Sequence, residues 1–290
     1  MIIVVGGSGY IGRRLCAHFS RKGKLLAGTY YHSPITRMLH FDLENPDLTH
    51  LGVNLEQARY AIICSAITQI DACKADEEKS YKINVKGIKR LVEQLFQWKT
   101  VPVFLSSDHV FDGKRGNYDE QDQRNPITVY GSHKKIIEDF LVESGEPFLI
   151  ARLSKVFGLT PKDGTILTTW VEQLQNGEII HCAEDQILSP TYVEDIVHAL
   201  DLSLQNSLRG CYNIASPEKF SRFRLATMLK SYLGVKSGKI IPCSIRDFNF
   251  LDLRSLNTSL NPGKFIKATG FRFSEMEACM DKLKSVSQKA

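Results

Sequence analysis

The sequence predicts an α/β fold, a doubly wound parallel sheet with a smaller lobe interwoven with it. Three observations lead to this prediction. Short β-branched runs alternate with helical repeats through the first part of the chain, which is typical of βαβ units. The first of these runs, Ile2 to Val5, is followed directly by glycines. After Arg152 the alternation loosens, as expected where a second lobe begins.

The elements follow from the residue pattern in chain order. The run Ile2 to Val5 predicts a buried parallel strand. Ile11, Leu15 and Phe19 then recur at helical spacing, and Gly23 ends that helix. Further strands are predicted at residues 25–30, 38–43, 60–64, 101–105 and 148–153, and helices at 80–98 and 129–144. Ligands of such a sheet bind at the carboxyl ends of its strands.

The last part of the chain gives fewer signals. Helices are predicted at residues 165–177, 192–205, 223–233 and 273–285, and a strand at 211–215. We therefore expect a larger lobe of residues 1–152 completed by about 182–215, and a smaller lobe of about 153–181 and 216–290.

Composition restricts the class of protein. The chain has 290 residues, of which 43% are apolar and 24% charged, as in ordinary globular proteins. The net charge of +5 comes without a long basic run, which favours an anionic small molecule over nucleic acid. Seven scattered cysteines form no C-x-x-C pair, which indicates reduced thiols in the cytoplasm. We expect no secretory signal, no membrane span and no metal site, since none of the corresponding patterns is found.

A glycine turn joins the first strand to the first helix. Gly6, Gly9 and Gly12 have the spacing that lets main-chain N–H groups approach a pyrophosphate at a helix N-terminus. The alternative is an ordinary glycine-rich turn, but the position between a strand and a helix favours the binding motif. The larger lobe is therefore predicted to be a Rossmann-type domain that binds a dinucleotide.

The end of the second strand indicates which dinucleotide. Sites that prefer NAD carry an acidic residue about twenty positions after the glycines. This chain has Thr29 to His32 there, without a carboxylate, and His32, Arg37 or Arg13 can pair with a 2′-phosphate. NADP(H) is therefore the expected cofactor, with NAD(H) as the alternative. Asp42 ends the third predicted strand, either beside the adenine or as a solvated carboxylate.

Tyr130 and Lys134 are the candidate catalytic pair. Their i and i+4 spacing puts phenol and ammonium on one helix face. A tyrosine with a pKa of about 10 is a poor proton donor or acceptor near neutrality, and the adjacent lysine together with the positive nicotinamide ring of a bound cofactor would lower that pKa. Ser107 follows a central strand, where it can bind a carbonyl oxygen. The alternatives are a solvated helix face and a polar loop cap.

Longer strings resemble a known family. The glycine turn, the serine pair after the fifth strand and Tyr130/Lys134 resemble extended short-chain dehydrogenases of the NAD-dependent epimerase/dehydratase superfamily. Residues 105–113 (LSSDHVFDG) resemble the L-S-T-D-Y-V-F-D-G stretch of dTDP-4-dehydrorhamnose reductases. Further matching strings are Asn125-Pro126 and residues 152–158 (RLSKVFG), 189–196 (SPTYVEDI), 212–215 (YNIA) and 254–260 (RSLNTSL).

The resemblance implies hydride transfer from NADP(H) to the keto carbon of a nucleotide-linked sugar, in a protein that is often a homodimer. It implies Ser107, Tyr130 and Lys134 as the catalytic set. It implies cofactor contacts at Gly6, Gly9, Tyr10, Ile11, Gly12, His32, Arg37, Asp42, Leu43, Ser65, Ala66, Thr68, Asn84, Tyr130 and Lys134. It implies substrate contacts at Asp108, His109, Lys155, Pro190 and Arg254.

Three departures from the rhamnose-pathway pattern bear on the substrate. Lys155 stands where those reductases usually have tryptophan, His109 where they have tyrosine, and Ser255 where they have proline. We therefore expect contacts with the sugar that differ from those of the rhamnose-pathway reductases. Two other functions stay compatible with the sequence: a sugar-nucleotide epimerase or dehydratase, and a non-catalytic NADP-binding subunit like the beta subunit of methionine adenosyltransferase.

Overall fold

A computed structural model describes residues 1–32 and 34–287 of the chain. Its strands are β1 (Ile2–Val5), β2 (Leu25–Tyr30), β3 (Leu39–His40), β4 (Tyr60–Ile63), β5 (Val101–Ser107), β6 (Leu149–Leu153), β7 (Val156–Phe157), β8 (Ile179–Ala183), β9 (Ile187–Leu188), β10 (Thr191–Tyr192), β11 (Gly210–Ile214), β12 (Phe220–Ser221) and β13 (Lys239–Cys243). Its α-helices are α1 (Tyr10–Arg21), α2 (Ile70–Ala75), α3 (Glu77–Tyr81), α4 (Ile88–Gln97), α5 (Val129–Glu143), α6 (Ile166–Gln175), α7 (Val193–Gln205), α8 (Arg222–Leu233), α9 (Gly263–Thr269) and α10 (Met276–Ser287).

The central sheet has the predicted doubly wound topology. Seven of the described strands pair in the order β11-β6-β5-β4-β1-β2-β3, and every pair is parallel. The chain runs outward from β1 in one direction through β2 and β3, and in the other through β4, β5 and β6. The connections therefore diverge between β1 and β4, and ligands of such sheets bind in the crevice at this point.

Each face of the sheet is buried under helices, which explains the continuous apolar strands. Along β1, Ile3 and Val5 enter one core cluster, together with Leu91 of α4. Val4 enters the opposite cluster, together with Leu15 of α1. Because both faces are covered, the strand has no polar alternation, as the run at residues 2–5 predicted.

The second lobe has its own apolar core. Trp170 and Leu174 of α6 pack there with Leu225 of α8 and Met280 of α10. Its strands form small two-stranded sheets, β10 with β7, β12 with β9, and β13 with β8. Sequence reasoning missed these strands because most of them have two residues, too few to establish a periodicity. Among the described residues, no helix is both long and apolar enough to cross a bilayer.

Two predicted elements differ from the structure. The strand expected at 38–43 has only the two residues of β3, because the Asp42 carboxylate accepts the Glu44 N–H at 2.8 Å and turns the chain. In place of the single helix expected at 80–98, the chain forms the end of α3, then a π-helical turn, Lys82–Gly87, and then α4. The short helix α2 precedes them. Gly87 belongs to this turn, and a Cβ there would lie 1.9 Å from the Leu43 carbonyl oxygen, so close packing against Leu43 requires glycine.

A buried ion cluster fixes α5 to the sheet. The Glu138 side chain of α5 is fully buried and accepts hydrogen bonds from Ser106 (2.6 Å) of β5 and Arg152 (2.7 Å) of β6. Arg124 also pairs with Glu138, at 3.0 Å. The Arg152 guanidinium lies over the Phe111 ring, 5.0 Å from its centre. The cluster thereby holds the helix that carries Tyr130 against the strands that end at the crevice.

Candidate active site

A cleft of about 820 Å³ lies at the carboxyl ends of β1, β4, β5 and β6, with the second lobe as its other wall. The sheet side contributes the glycine turn after β1 and the polar residues that follow β4, β5 and β6. The lining residues on the sheet side include Gly9, Tyr10, Ile11, Gly12, Ala66, Thr68, Ser107, Asp108, His109, Tyr130, Lys134 and Lys155. The opposite wall is lined by Gln186 and Leu188, which follow β8, and by Arg222, Ile245, Phe250, Arg254 and Thr258 of the second lobe.

The glycine turn forms a bare backbone cradle at the start of α1. Gly6 has a φ of 82°, in the left-handed region that glycine favours, and its carbonyl accepts the Gly9 N–H at 3.1 Å. Gly9 precedes the first residue of α1, and the first turn of this helix contains no acidic side chain. This helix end can therefore receive an anion through its free N–H groups and its dipole.

A methyl group at Gly12 should disrupt this turn. A Cβ at this position would lie 2.1 Å from the Gly6 carbonyl oxygen, which is backbone and cannot rotate away. We expect Gly12→Ala to lower the free energy of unfolding by about 1–3 kcal/mol, as measured by urea denaturation. Gly9→Ala is the matched control for stability, because its Cβ would have 3.3 Å to the same oxygen. Equal stability of the two variants would contradict this account.

Three predicted catalytic residues converge in the cleft. Ser107 ends β5, and Tyr130 and Lys134 lie in the first turns of α5, all of them largely buried. Thr128 caps α5 by accepting the Gly131 N–H at 3.0 Å, which fixes the turn that carries Tyr130. The Lys134 ammonium donates to the Leu105 carbonyl oxygen at 2.7 Å and lies 5.7 Å from the centre of the Tyr130 ring.

The pKa of Tyr130 does not follow the sequence expectation. The i+4 lysine predicted a lowered value, whereas the pKa is raised above its usual range by burial and then by the Asp108 carboxylate. Burial lowers the pKa of Lys134 to about 8. Desolvation of the phenol outweighs the hydrogen bond with Ser107, which acts in the opposite direction. Tyr130 is therefore a protonated phenol at neutral pH, able to donate a proton.

Asp108 and His109 directly follow Ser107 in the chain. The two carboxylate oxygens of Asp108 accept hydrogen bonds from Ser107 (2.9 Å) and Ser154 (3.1 Å). The His109 ring stands edge-on to the Tyr130 ring, with 6.1 Å between centres, and its Nδ1 is buried without a partner among the described residues. Burial lowers the pKa of His109, so its ring is neutral at pH 7. The His109 ring therefore lies where it can contact a substrate bound beside Tyr130.

Several predicted cofactor residues lie outside the cleft lining. Asn84 is buried and clamps the loop after β4, accepting the Ile67 N–H (2.8 Å) and donating to the Ile67 carbonyl (2.9 Å). Leu43 belongs to the apolar core under the sheet. The Ser65 side chain packs against Gly6, where a Cβ would meet its hydroxyl at 2.4 Å. Ala66 and Thr68, in contrast, line the cleft as expected.

The residues expected at a 2′-phosphate lie at the edge of the glycine turn. The Gly6 N–H donates to the Thr29 hydroxyl at 2.9 Å, which joins the end of β2 to the turn. His32 and Arg37 follow on the exposed loop between β2 and β3, outside the cleft lining. Asp42 turns the chain just beyond β3. No carboxylate therefore ends β2 itself, in agreement with the sequence analysis.

On the substrate side, the structure brings together Lys155, Arg254, Asp108 and His109, but not Pro190, which is buried between β9 and β10. Sequence reasoning missed Gln186, Leu188 and Arg222. No local signal marks them, because Gln186 and Leu188 lie just before and within the two-residue strand β9, and Arg222 is the first residue of α8.

A polar strap across the mouth of the cleft was also missed. The Asp71 carboxylate pairs with Arg254 at 2.9 Å and accepts the N–H groups of Leu251 and Asp252, both at 3.2 Å. Asp252 in turn accepts the Val129 N–H at 2.8 Å, at the start of α5. A loop of the second lobe thereby holds the N-terminus of the helix that carries Tyr130.

The arrangement can transfer a proton to a carbonyl oxygen. A hydroxyl with a raised pKa, a second hydroxyl and a desolvated cation lie in one cleft, opposite a cradle for an anion. These are the elements of general acid catalysis with a stabilised oxyanion.

Known proteins share both sequence and fold with the chain. The dTDP-4-dehydrorhamnose reductase of Aggregatibacter actinomycetemcomitans is 28% identical over 200 residues, covering 69% of this chain and 65% of that protein, slightly less than two thirds of its length. The methionine adenosyltransferase 2 subunit beta of Danio rerio is 24% identical over 251 residues, covering 83% of this chain and 76% of that protein. The structure of a Bacillus anthracis dTDP-4-dehydrorhamnose reductase in complex with NADP superposes with a TM-score of 0.82 at 23% identity, covering 97% of both chains.

A family model also spans the whole of both lobes. The model described as the RmlD substrate binding domain matches residues 1–287. This match confirms the resemblance that the motifs indicated. The chain therefore belongs to the RmlD substrate binding domain family.

Proposed function

We propose that the chain is an NADP(H)-dependent reductase of a nucleotide-linked keto-sugar. The observation that carries this proposal is the convergence of Ser107, Tyr130 and Lys134 opposite the bare glycine turn in one cleft. Family membership supports it, and so does the name of the Aggregatibacter relative, a dTDP-4-dehydrorhamnose reductase. In this proposal the larger, sheet-containing lobe binds the cofactor and the smaller lobe binds the sugar nucleotide.

The glycine turn fits a dinucleotide. The backbone approaches itself so closely at Gly12 that no side chain fits there, and the N-terminus of α1 opens into the cleft. Gly9, Ile11 and Gly12 would hold the pyrophosphate, and Ala66 and Thr68 the nicotinamide side. When bound, the reduced cofactor supplies a hydride to the carbonyl carbon.

NADP(H) is preferred over NAD(H) in this proposal. The end of β2 offers no carboxylate to bind a ribose 2′-hydroxyl, while the exposed cation Arg37 and the imidazole of His32 follow on the next loop. The Bacillus anthracis relative of the same fold was crystallised with NADP.

The roles of the residues follow from their environments. Tyr130 donates its proton to the carbonyl oxygen, since its hydroxyl is buried in the cleft together with Ser107 and Lys134. Ser107 exchanges its hydrogen bond to Asp108 for one to the same oxygen. Lys134, which the Leu105 carbonyl holds beneath Tyr130, stabilises the negative charge that develops on the phenol.

A second candidate is a non-catalytic subunit, favoured by the similarity to the methionine adenosyltransferase 2 subunit beta of Danio rerio. That role needs no proton donor in the cleft. The intact set of Ser107, Tyr130 and Lys134 in one cleft supports the enzyme.

NADPH oxidation with a panel of dTDP- and UDP-linked 4-keto-sugars tests the proposal. We expect turnover with at least one keto-sugar nucleotide, measured as the loss of NADPH absorbance, and slower turnover with NADH. The dTDP- and UDP-linked parent sugars without a keto group serve as controls and should give none. Absence of turnover with the whole panel, together with co-purification of a partner protein, would favour the subunit instead.

A further inference from the structure

Two cations of the cleft have no counter-ion in the described structure. The Lys155 side chain is accessible within the cleft, and no hydrogen bond or ion pair is found for its ammonium among the described residues. Its backbone is fixed, since its carbonyl accepts the Thr191 N–H at 2.8 Å. Arg222 donates two hydrogen bonds to Gln186, from its backbone N–H to the carbonyl oxygen (3.1 Å) and from its Nε to Oε1 (2.5 Å). Neither Nη nitrogen of Arg222 has a partner among the described residues.

The other charges of the cleft do not neutralise this pair. Arg254 and Asp71 form an ion pair with each other. Asp108 is occupied by two hydroxyl groups, and Lys134 by a backbone carbonyl. The lining therefore contains two carboxylates, Asp71 and Asp108, against four cations, Lys134, Lys155, Arg222 and Arg254. An excess of two positive charges in a partly desolvated cleft is unfavourable unless an anion binds there.

Lys155 and Arg222 line the same cleft. The pKa of Lys155 is lowered first by burial and then by Arg222. Lys155 also lowers the pKa of His109, which stands beside Tyr130, so Lys155 lies near the reacting end of the cleft. Arg222 is the first residue of α8, whose first turn contains no acidic side chain, so the positive end of the helix dipole adds to the same field.

We propose that Lys155 and Arg222 form one receptor for an oxyanion of the substrate, next to the reacting carbonyl group. The oxyanion comes either from the diphosphate linkage or from a carboxylate on the sugar. The naming of this substrate class rests on the proposed function, whereas the receptor itself is a property of the cleft. It explains why an ammonium stands at position 155, where the rhamnose-pathway reductases have an aromatic ring.

Calorimetric titrations with three probes test the receptor. Inorganic pyrophosphate, UDP-glucose and UDP-glucuronate are titrated into the wild-type chain and into Lys155→Met and Arg222→Met, each in the presence of excess NADP⁺ so that the glycine turn is occupied. Because hydrogen bonds to charged groups are lost, we expect the Kd for pyrophosphate to rise about tenfold to hundredfold in each variant. The control is Lys236→Met, which removes an exposed lysine of the same lobe from outside the cleft lining and should change no Kd. Lys155→Arg should retain most of the affinity.

The two nucleotide sugars distinguish the sources of the oxyanion. Equal weakening of both in the variants assigns the receptor to the diphosphate, and weakening of UDP-glucuronate alone assigns it to a sugar carboxylate. Unchanged affinities in both variants, or no binding of any probe to the wild type, would overturn the receptor. Pyrophosphate binding that depends on Lys155 and Arg222, in a chain that turns over no keto-sugar, would retain the receptor and reject the reductase. Thermal unfolding checks the fold. Lys155→Met removes a cation without a partner among the described residues and should not melt earlier, whereas Arg222→Met also loses the hydrogen bond to Gln186, so its titrations are run below its own melting transition.

Discussion

Replacing Tyr130 with phenylalanine should reduce turnover by roughly 10²- to 10⁴-fold, the range that a general acid contributes. The substitution keeps the ring that packs beside His109 and removes only the phenolic proton. Burial of Tyr130 leaves little room for water to act in its place, since only 8% of the residue is exposed. The measurement is kcat/KM for NADPH oxidation with the best keto-sugar nucleotide of the panel.

Two further measurements identify the cause of this loss. The Kd for NADPH, from fluorescence titration, should stay within about twofold, because no contact with the glycine turn is removed. Tyr60→Phe is the matched control, since Tyr60 is equally buried but lies in the core at β4 and outside the cleft lining. Undiminished turnover in Tyr130→Phe would reject its role as the acid and direct attention to His109, the neighbouring titratable ring.

Replacing Glu138 with glutamine should lower the free energy of unfolding by about 3–5 kcal/mol, because it leaves a buried guanidinium without its carboxylate. Arg152 is only 2% exposed and makes its charged contacts to Glu138 alone among the described residues. The Ser106 hydroxyl also loses its charged acceptor. Urea denaturation measures the change.

The next residue of the same helix supplies the control. Asp139 pairs with Arg124 and Lys135, both at 2.7 Å, but lies at the surface. Asp139→Asn should therefore change the free energy of unfolding by less than about 1 kcal/mol. If the two variants were equally stable, the buried cluster would contribute no more than an exposed ion pair.

The first half of the fold could be read from the sequence because each element there has a strong local signal. The strand Ile2–Val5 and the helix α5 were predicted within a residue of their observed ends. The second lobe could not be read in the same way. Its two-residue strands depend on partners far along the chain, as in the pairing of β12 with β9. Tertiary context decides such elements.

The residues of the candidate site likewise fall into those that the sequence predicted and those that it did not. Ser107, Tyr130 and Lys134 follow elements with clear periodicity, so their convergence could be expected from the parallel sheet. The positions of Arg222 and of the Asp71–Arg254 pair could not be expected from the sequence. Their partners come from distant segments that only the three-dimensional structure shows to be neighbours. The pKa of Tyr130 is raised in the structure, whereas the sequence predicted a lowered value, because the spacing of two residues carries no information about desolvation.

The place of β11 in the central sheet has a consequence for the modular use of this chain. This strand, Gly210–Ile214, completes the sheet beside β6, although much of the intervening chain has built the other lobe. A fragment that stopped after β6 would leave one edge of that strand with open N–H and C=O groups, a template for aggregation. The two lobes therefore cannot be exchanged as separate segments of the chain. New substrate specificities in this architecture must arise by substitution of residues within the cleft.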